Sequence, residues 1–322
     1  MKTFKSFLAP LFEQYFVYRE NLGYTSKLTL AHLKVFDRYV TGKKIENGLF
    51  KPSFFLELRS ELKMEARSVN RVISSLRGFF YFLVRNGIYE KNPVEDIALL
   101  PENEIIPFLF SSEQIDQLLN QVCKNIRHTK RFYLKDLSHY MALVLIARSG
   151  LRISEPLRLM RNQYRRDEKT LYIEKTKFKK DRLIPLPLAA ANELENYLSV
   201  RDALLNTEPY RHLLVGCYGN RLPQNTINYT FNKAVKAIGL YQPRRVIGHT
   251  NFSAPTVHCL RHSFAVNTLK RVKQRGRSPE NALPIIAAYM GHSEYKHTVK
   301  YLKMIDADQR QGLLEFVLTK NR

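Results

Sequence analysis

A proline-marked break about a third of the way along this 322-residue chain most constrains its fold. Asn92-Pro93 ends a helical pattern, because proline disfavours helical geometry at the residue before it. The stretch 100–107, which has a further proline near each end, is predicted to be a linker. A chain of this length has room for two domains with separate cores. The sequence therefore predicts a first domain over 1–99 and a second over 108–322.

The first domain is predicted to be a bundle of four or five helices without strands. Apolar residues between positions 69 and 83 recur at the i, i+3, i+4 and i+7 spacing of one helix face. Ser68 is the predicted N-cap and Asn86-Gly87 the predicted stop of this helix. A second apolar face consists of Leu30, Leu33, Phe36 and Val40. A basic helical bundle could by itself be only a solvated domain.

The second domain is predicted to be mostly helical with one β-hairpin. Ser111 is a predicted N-cap that opens its first helix, and the apolar run 141–147 predicts a buried helix. That run is too short to cross a membrane, which takes about 20 residues. Two short β-like runs, Thr170–Glu174 and Arg182–Leu186, flank a lysine-rich turn.

The charge of the chain indicates a polyanionic partner. Lys and Arg total 52 against 29 Asp and Glu, for a formal charge of +23. Residues 1–100 carry 16 basic and 10 acidic side chains (+6), and the remaining 222 carry 36 and 19 (+17). Both parts are basic, which favours a protein that surrounds its polyanion. Charge alone leaves DNA, RNA and an anionic membrane open.

The cysteines and the amino terminus predict a cytoplasmic protein. The cysteines are Cys123, Cys217 and Cys259, an odd number without Cys-x-x-Cys spacing, so a disulfide framework is not expected. The apolar stretch 7–12 contains a proline and is too short for a secretory signal.

Six residues have the side chains that phosphodiester cleavage without a metal requires. Such cleavage needs an in-line nucleophile, cations on the non-bridging oxygens and an acid for the leaving alkoxide. Tyrosine can be the nucleophile, and lysine or histidine the acid. Arginine suits the oxygens, because its planar fork donates two parallel hydrogen bonds to a phosphate. The six residues are Arg152, Lys177, His258, Arg261, His292 and Tyr301.

Each of these residues, taken singly, also has a structural interpretation. Arg152 could form an ion pair with Glu155 on one helical face. His258 and Arg261 share the face of a helix predicted to begin after Thr256. His258 could equally be a core histidine, or part of a metal site with Cys259 and His262, although no second ligand pair has suitable spacing.

Tyr301 and Lys177, taken singly, also have structural interpretations. A tyrosine among apolar residues such as Val299 and Leu302 is usually part of a core. A lysine in a lysine-rich turn usually belongs to a solvated or DNA-backbone face.

Together, the order and spacing of these residues resemble the tyrosine recombinase (phage integrase) family, with the two-domain architecture of Xer-like members. The strings that carry the resemblance are Gly150-Leu151-Arg152-Ile153-Ser154-Glu155, Lys177 with Lys180-Asp181-Arg182 and Ile184-Pro185-Leu186, His258-Cys259-Leu260-Arg261-His262, and Gly291-His292-Ser293 with Tyr301 nine residues after His292. Met290 replaces the family's leucine before Gly-His, and Tyr295 does not match the nucleophile's distance.

The resemblance implies a fold that is mainly α with a small β-hairpin or sheet. An N-terminal helical core-binding (SAM-like) domain would precede a mixed α/β catalytic domain, and the two would clamp duplex DNA. A terminal helix at about 310–322 would dock on a neighbouring protomer in a tetrameric synapse. The predicted DNA-binding residues are Arg71, Arg77, Lys179, Lys180, Arg244 and Arg245.

The resemblance also implies the chemistry. Tyr301 would form a 3′-phosphotyrosyl bond, while Arg152 and Arg261, assisted by His292, hold the phosphate. Lys177 would protonate the 5′ oxygen. His258 would assist proton transfer or hold the phosphate, and Glu155 would be a supporting carboxylate. No metal, ATP or other cofactor is expected.

The expected function is site-specific DNA recombination in the cytoplasm, on the bacterial nucleoid, with an accessory directionality factor or partner recombinase possible. Basic stretches at 241–251 and 271–277 favour the integrase of a mobile element over a chromosome-dimer resolvase. The alternatives are a type IB topoisomerase and a DNA-binding regulator that has lost catalysis. A metal-dependent nuclease or transposase would need clustered carboxylates, and no such cluster stands out in the sequence of this acid-poor chain.

Overall fold

The computed structural model divides the chain into two compact units, Met1–Glu104 and Ile105–Arg322. Three residues of the predicted linker, Glu104–Ile106, form strand β1. The residues that the structure describes are 4–24, 27–174, 181–205, 211–292 and 298–302. Within them, no helix has the length and apolar character to cross a membrane.

Four helices form the described part of the first unit, within the predicted number. They are α1 (Ala9–Asn21), α2 (Lys27–Gly42), α3 (Pro52–Glu61) and α4 (Ala66–Arg85). The apolar face predicted for α4 is buried along its whole length. Asn86 and Gly87 end this helix, as predicted, and Gly87 has a φ of 72°. The prediction of Ser68 as N-cap was wrong, because α4 begins at Ala66 with Glu65 at the N-cap in extended backbone.

The core of the first unit is rich in phenylalanine. Phe36, Phe55 and Phe80 are fully buried, and the rings of Phe55 and Phe80 lie 5.1 Å apart edge to face. Edge-to-face pairs stabilise a core beyond the area that they bury. These aromatic contacts therefore contribute to the stability of the first unit.

In its described residues, the second unit contains six α-helices, a further helical segment at 298–302 and two small sheets. The helices are α5 (Ser112–Lys124), α6 (Tyr133–Ser149), α7 (Leu188–Leu205), α8 (Gln224–Ala237), α9 (Val257–Gln274) and α10 (Pro279–Met290). Ser111 caps α5 as predicted, in a capping box with Gln114. Helix α6 contains the predicted apolar run, is almost wholly buried and packs against α7 and α9.

The predicted hairpin is part of a three-stranded antiparallel sheet. Its strands are β2 (Tyr164–Arg165), β3 (Thr170–Ile173) and β4 (Arg182–Pro185), in the order β2-β3-β4. Leu171 pairs with Ile184, and both side chains are buried. This register anchors the sheet in the core and places Arg182 at the first residue of β4.

A second sheet escaped the sequence prediction. It combines β1 with β5 (Arg245–Ile247) and β6 (Thr250–Phe252), in the order β1-β6-β5. Every residue of β1 and β5 is exposed. Strands of three exposed residues bury no apolar face, so they have no period-two pattern that would reveal them.

Candidate active site

Arg261 is the most deeply buried charged side chain of the site. It lies on α9, one turn after His258, and only 1% of its surface is exposed. Its Nη1 donates to the carbonyl of Gly150 (2.6 Å), and its Nη2 donates to that of Met290 (2.6 Å). Burial, and secondarily the charge of Arg152, lowers the pKa of Arg261. The backbone carbonyls partly compensate this burial by accepting charge-assisted hydrogen bonds.

The carboxyl end of α10 holds three arginines on three successive carbonyls. Arg182 Nε donates to Tyr289 (2.9 Å), Arg261 Nη2 to Met290, and Arg152 Nη2 to Gly291 (2.6 Å). These carbonyls lie where an α-helix leaves acceptors unsatisfied and carries partial negative charge. The helix end therefore gathers guanidinium groups from three elements directly beside His292.

Glu155 joins two of these arginines. Its carboxylate accepts from Nη1 and Nη2 of Arg182 at 3.1 and 2.8 Å. It also accepts from Arg152, at 2.8 Å from the backbone N–H and 3.0 Å from Nη1. Burial acts to raise the pKa of Glu155, but Arg182 and the other donors outweigh it and the pKa is lowered. Glu155 is therefore ionised at neutral pH.

The ion pair of Arg152 and Glu155 was predicted correctly, but its helical setting was wrong. Helix α6 ends at Ser149, and Gly150 follows with a φ of 60°. Arg152 and Glu155 lie in the turns after it, where the carboxylate also binds the Arg152 backbone N–H. Gly150 is required because a Cβ there would lie 2.5 Å from the Phe264 ring.

Tyr301 is buried beside the arginines. Residues 298–302 are helical, and the Tyr301 ring belongs to a cluster that includes Val266, Leu269 and Met290. Its Oη lies 2.8 Å from Nδ1 of His262. Burial raises the pKa of Tyr301 to about 12, although Arg261 and Arg152 act in the opposite direction.

Two histidines lie beside this tyrosine, and a third packs against one of them. The ring centroid of His262 lies 5.7 Å from that of Tyr301, and that of His292 lies 6.2 Å from it. His258 lies edge-on to His262 at 4.5 Å. His292 Nδ1 is 2.8 Å from Thr298 Oγ1, which fixes its ring. His292 therefore lies close to Tyr301, and His258 reaches this group of rings through its contact with His262.

His258 differs from Arg261 in its surroundings, although both lie on α9. Its side chain is exposed, whereas Arg261 is buried. Crowding by protein atoms, followed by the charges of Arg261, Lys300 and Arg152, lowers the pKa of His258. A neutral imidazole at neutral pH can accept as well as donate a hydrogen bond.

Sequence reasoning missed two residues of the site, Arg182 and His262. In the sequence analysis, Arg182 serves only to place the lysine-rich turn, and His262 only to extend the string after Arg261 or to complete the alternative metal site with His258 and Cys259. Arg182 is one-tenth exposed and paired with Glu155, and His262 touches the tyrosine hydroxyl. The position of His262 four residues after His258, on the same helix face, was the available signal.

The predicted DNA-binding arginines are not among the residues that the structure shows around Tyr301. Arg71, Arg244 and Arg245 are exposed, whereas Arg77 donates to the carbonyls of Val94 and Ile97 within the first unit. Their role in DNA binding stays a prediction. Lys177, Lys179, Lys180, Tyr295 and the segment 310–322 lie outside the described residues.

The described part of the chain contains no ligand set for the alternative metal site at His258, Cys259 and His262. No group of three or more His, Cys, Asp or Glu side chains there could hold a metal ion. Cys259, one of the suggested ligands, is buried with its Sγ 3.2 Å from Thr256 Oγ1. The described site instead combines a phenol, imidazoles and guanidinium groups, with Glu155 paired to two of the arginines, and this combination suits an anionic substrate.

Replacing Gly291 by Ala is expected to destabilise the protein and to disturb the arginine cluster. Gly291 has a φ of 66°, and a Cβ there would lie 2.9 Å from Nη1 of Arg182. Left-handed backbone costs a residue with a Cβ about 1–2 kcal/mol. Gly276→Ala is the matched control, since Gly276 follows α9 with a φ of 72° and open space around it. Urea unfolding should show a larger loss for Gly291→Ala; equal losses would contradict a tight contact with Arg182.

Comparison with known sequences agrees with this geometry. The sequence model of the phage integrase family matches residues 109–307, more than half of the chain. A Sinorhizobium fredii protein that bears the name integrase/recombinase y4rB is 34% identical over 199 residues, which are 61% of this chain and 61% of that protein. The tyrosine recombinase XerD of Rickettsia bellii is 26% identical over 91% of this chain and 88% of its own length.

Solved structures share the fold. A lambda integrase tetramer bound to a Holliday junction has a TM-score of 0.66 at 16% identity, covering 91% of this chain and 76% of its own. The Tn1549 transposon integrase in complex with a circular intermediate DNA has a TM-score of 0.62 at 18% identity, covering 93% and 95%. The mainly helical fold with small sheets is thereby confirmed. With the family model and the relatives, it shows that the chain belongs to the phage integrase family of tyrosine recombinases.

Proposed function

We propose that the protein is a site-specific DNA recombinase that cleaves and rejoins duplex DNA through a 3′-phosphotyrosyl intermediate. The observation that carries the proposal is the burial of the Tyr301 phenol beside Arg152, Arg261 and His292 in a chain of this family. Such a site contains both parts that phosphoryl transfer needs. The phenol is a nucleophile, and the fixed guanidinium groups are cations that stabilise the transition state.

Arg152 and Arg261 bind the non-bridging oxygens of the scissile phosphate. Each guanidinium has five N–H donors, so the bonds that they make to Gly291, Gly150 and Met290 leave donors for a phosphate. Because backbone carbonyls and Glu155 hold the guanidinium groups in place before substrate arrives, little reorganisation is needed when charge develops. His292 donates a further hydrogen bond.

Tyr301 Oη attacks phosphorus, and the bond from phosphorus to the 5′ oxygen breaks. Lys177 protonates that oxygen, which leaves as a 5′-hydroxyl, while His258 assists proton transfer or holds the phosphate. The protein–DNA link conserves the energy of the broken bond. A 5′-hydroxyl from the partner strand then attacks the link and rejoins the DNA without ATP.

The proposed substrate is duplex DNA, and the proposed setting is a mobile element in the bacterial cytoplasm, at the nucleoid. The formal charge of +23 supports a polyanionic partner. Arg71, Lys179, Lys180, Arg244 and Arg245 are proposed to touch the DNA backbone. We further propose a tetrameric synapse in which the terminal segment 310–322 docks on a neighbouring protomer, and an accessory directionality factor or partner recombinase.

The test uses duplexes from the DNA flanking this gene, nicked so that a short 5′ fragment diffuses away after cleavage. Wild-type protein in EDTA is expected to give a protein–DNA band that survives SDS on one of these duplexes. A gel-shift on the same duplexes reports binding separately. Specific binding without any SDS-resistant band would overturn the proposal in favour of a DNA-binding regulator.

A further inference from the structure

The hydroxyl of Tyr301 has a described partner that the proposed mechanism does not use. Its Oη lies 2.8 Å from Nδ1 of His262, a half-buried residue of α9 directly after Arg261. This distance is that of a normal hydrogen bond between a hydroxyl and a ring nitrogen. His262 therefore contacts the reacting atom of the proposed nucleophile.

We propose that His262 is the proton acceptor that activates Tyr301 for attack on the scissile phosphate. This inference rests on the proposed function and deepens it. As the bond between Oη and phosphorus forms, the phenolic proton passes to Nδ1 of His262, which becomes an imidazolium. The bond to the 5′ oxygen breaks with its electron pair, and that oxygen takes its proton from Lys177. One proton is thus lost by the tyrosine and one is gained by the leaving group.

The phenol needs an acceptor because it is not ionised beforehand. Burial raises the pKa of Tyr301 to about 12, so almost no phenolate exists at neutral pH. A positioned base that removes the proton during attack avoids forming the free phenolate. Such a base must lie within about 2.6–3.2 Å of the proton's oxygen, and His262 meets that requirement.

The neutral form of His262 is the one that the site favours. Burial lowers its pKa, and the charged or titratable groups that face it act in the same direction: His258 and Arg261 on α9, Lys300 beside Tyr301, and His292. A neutral imidazole has one acceptor nitrogen. An incoming phosphodiester would offset the positive charge of these neighbours and so make the imidazole a stronger base.

The other two histidines are less well placed for this role. His292 has its Nδ1 2.8 Å from Thr298 Oγ1, and its ring centroid lies farther from Tyr301 than that of His262 does. His258 packs edge-on against His262 on the exposed side of the pair. His262 thus contacts both His258 and the tyrosine.

The decisive variant is His262→Asn, which keeps a polar group near the place of Nδ1 but cannot take up a proton at neutral pH. Its cleavage rate on nicked duplex is expected to fall about 10²–10⁴-fold, with DNA binding and thermal unfolding close to wild type. The residual cleavage rate of His262→Asn should rise about tenfold per pH unit between pH 7 and 9. At pH values well below the Tyr301 pKa of about 12, the fraction of phenolate increases tenfold with each pH unit.

A second substrate distinguishes the role of a general base, proposed for His262, from that of a general acid, proposed for Lys177. A duplex with sulfur in place of the scissile 5′ oxygen has a leaving group that needs no protonation, since thiols have a pKa of about 8.5. On this substrate Lys177→Ala is expected to regain its rate, whereas His262→Asn stays slow. Free imidazole is expected to restore part of the activity of His262→Ala.

Several outcomes would overturn the inference. Wild-type rates in His262→Asn would show that His262 only holds the hydroxyl, and faster cleavage would show that it restrains the tyrosine. If His262→Asn regained the wild-type cleavage rate on the sulfur substrate, His262 would be the general acid and not the general base. In each of these cases the wild type still forms its adduct, so the proposed function stands. A wild type that forms no adduct on any duplex would overturn both proposals together.

Discussion

Tyr301→Phe is expected to abolish the SDS-resistant protein–DNA adduct while leaving DNA binding nearly unchanged. The change removes only Oη, which is the proposed nucleophile and the partner of His262. The ring remains in its apolar cluster with Val266 and Met290. Losing one buried hydrogen bond costs about 1 kcal/mol, which leaves a folded protein. Adduct formation on nicked duplex and a gel-shift on the same DNA measure the two properties separately.

Tyr295→Phe is the matched control, because Tyr295 lies only three residues after His292 and also follows the Gly-His string. It is expected to form adduct at the wild-type level. An adduct that persists in Tyr301→Phe, or that disappears in Tyr295→Phe alone, would contradict the assignment of the nucleophile.

Glu155→Ala is expected to destabilise the second unit by about 3–5 kcal/mol, the usual cost of removing one partner from a buried ion pair. Glu155 is 8% exposed and receives hydrogen bonds from both Arg152 and Arg182. Without it, two partly buried cations face each other uncompensated. Cleavage should fall as well, because Arg152 loses the partner that orients it. Urea unfolding and the adduct assay measure the two effects.

Glu168→Ala is the matched control for this prediction. Arg165 and Glu168 have the same three-residue spacing as Arg152 and Glu155, at 3.3 Å, but both side chains are 54% exposed. Exposed pairs contribute little to stability, so this variant should unfold like the wild type. Equal losses in the two variants would contradict the structural role assigned to Glu155.

The stabilisation that Glu155 provides to the fold should also decrease as pH falls. Its pKa is lowered from 4.5 in the folded protein, so the carboxylate stabilises the fold above the unfolded-state pKa. As pH falls through the folded-state value, that contribution is lost. The difference in unfolding free energy between wild type and Glu155→Ala should therefore shrink in acid. A difference that stays constant down to strongly acidic pH would argue against an ionised Glu155.

Long periodic segments could be predicted from the sequence, whereas short exposed ones could not. The apolar faces of α2 and α4 and the cap at Ser111 follow local rules and were found. Ser68 looked like a cap because its residue type suits one, yet α4 begins two residues earlier. The three-residue strands β5 and β6 pair mainly through backbone hydrogen bonds, which leave no mark on the side-chain pattern.

The spacing of the motifs selected the residues of the site but not the way in which they are held. Arg152, Arg261 and His292 were predicted as phosphate ligands, and the structure adds that the carboxyl end of α10 anchors both arginines. Bonds to backbone carbonyls leave no sequence signal, since every residue has a carbonyl. For the same reason the position of Arg182 on the Tyr289 carbonyl required the fold. The spacing of His262 from His258 placed both on one helix face, but only the fold showed that His262 contacts Tyr301.

The most direct test of the central claim is to identify the bond between protein and DNA. Adduct formed by the wild type on nicked duplex would be digested with trypsin and nuclease and analysed by mass spectrometry. The account predicts a 3′-nucleotide on a peptide that contains Tyr301 but not Tyr295, because Lys296 and Lys300 separate the two tyrosines. The other DNA end would carry a 5′-hydroxyl. Attachment through a 5′-phosphate, or to any other residue, would contradict it.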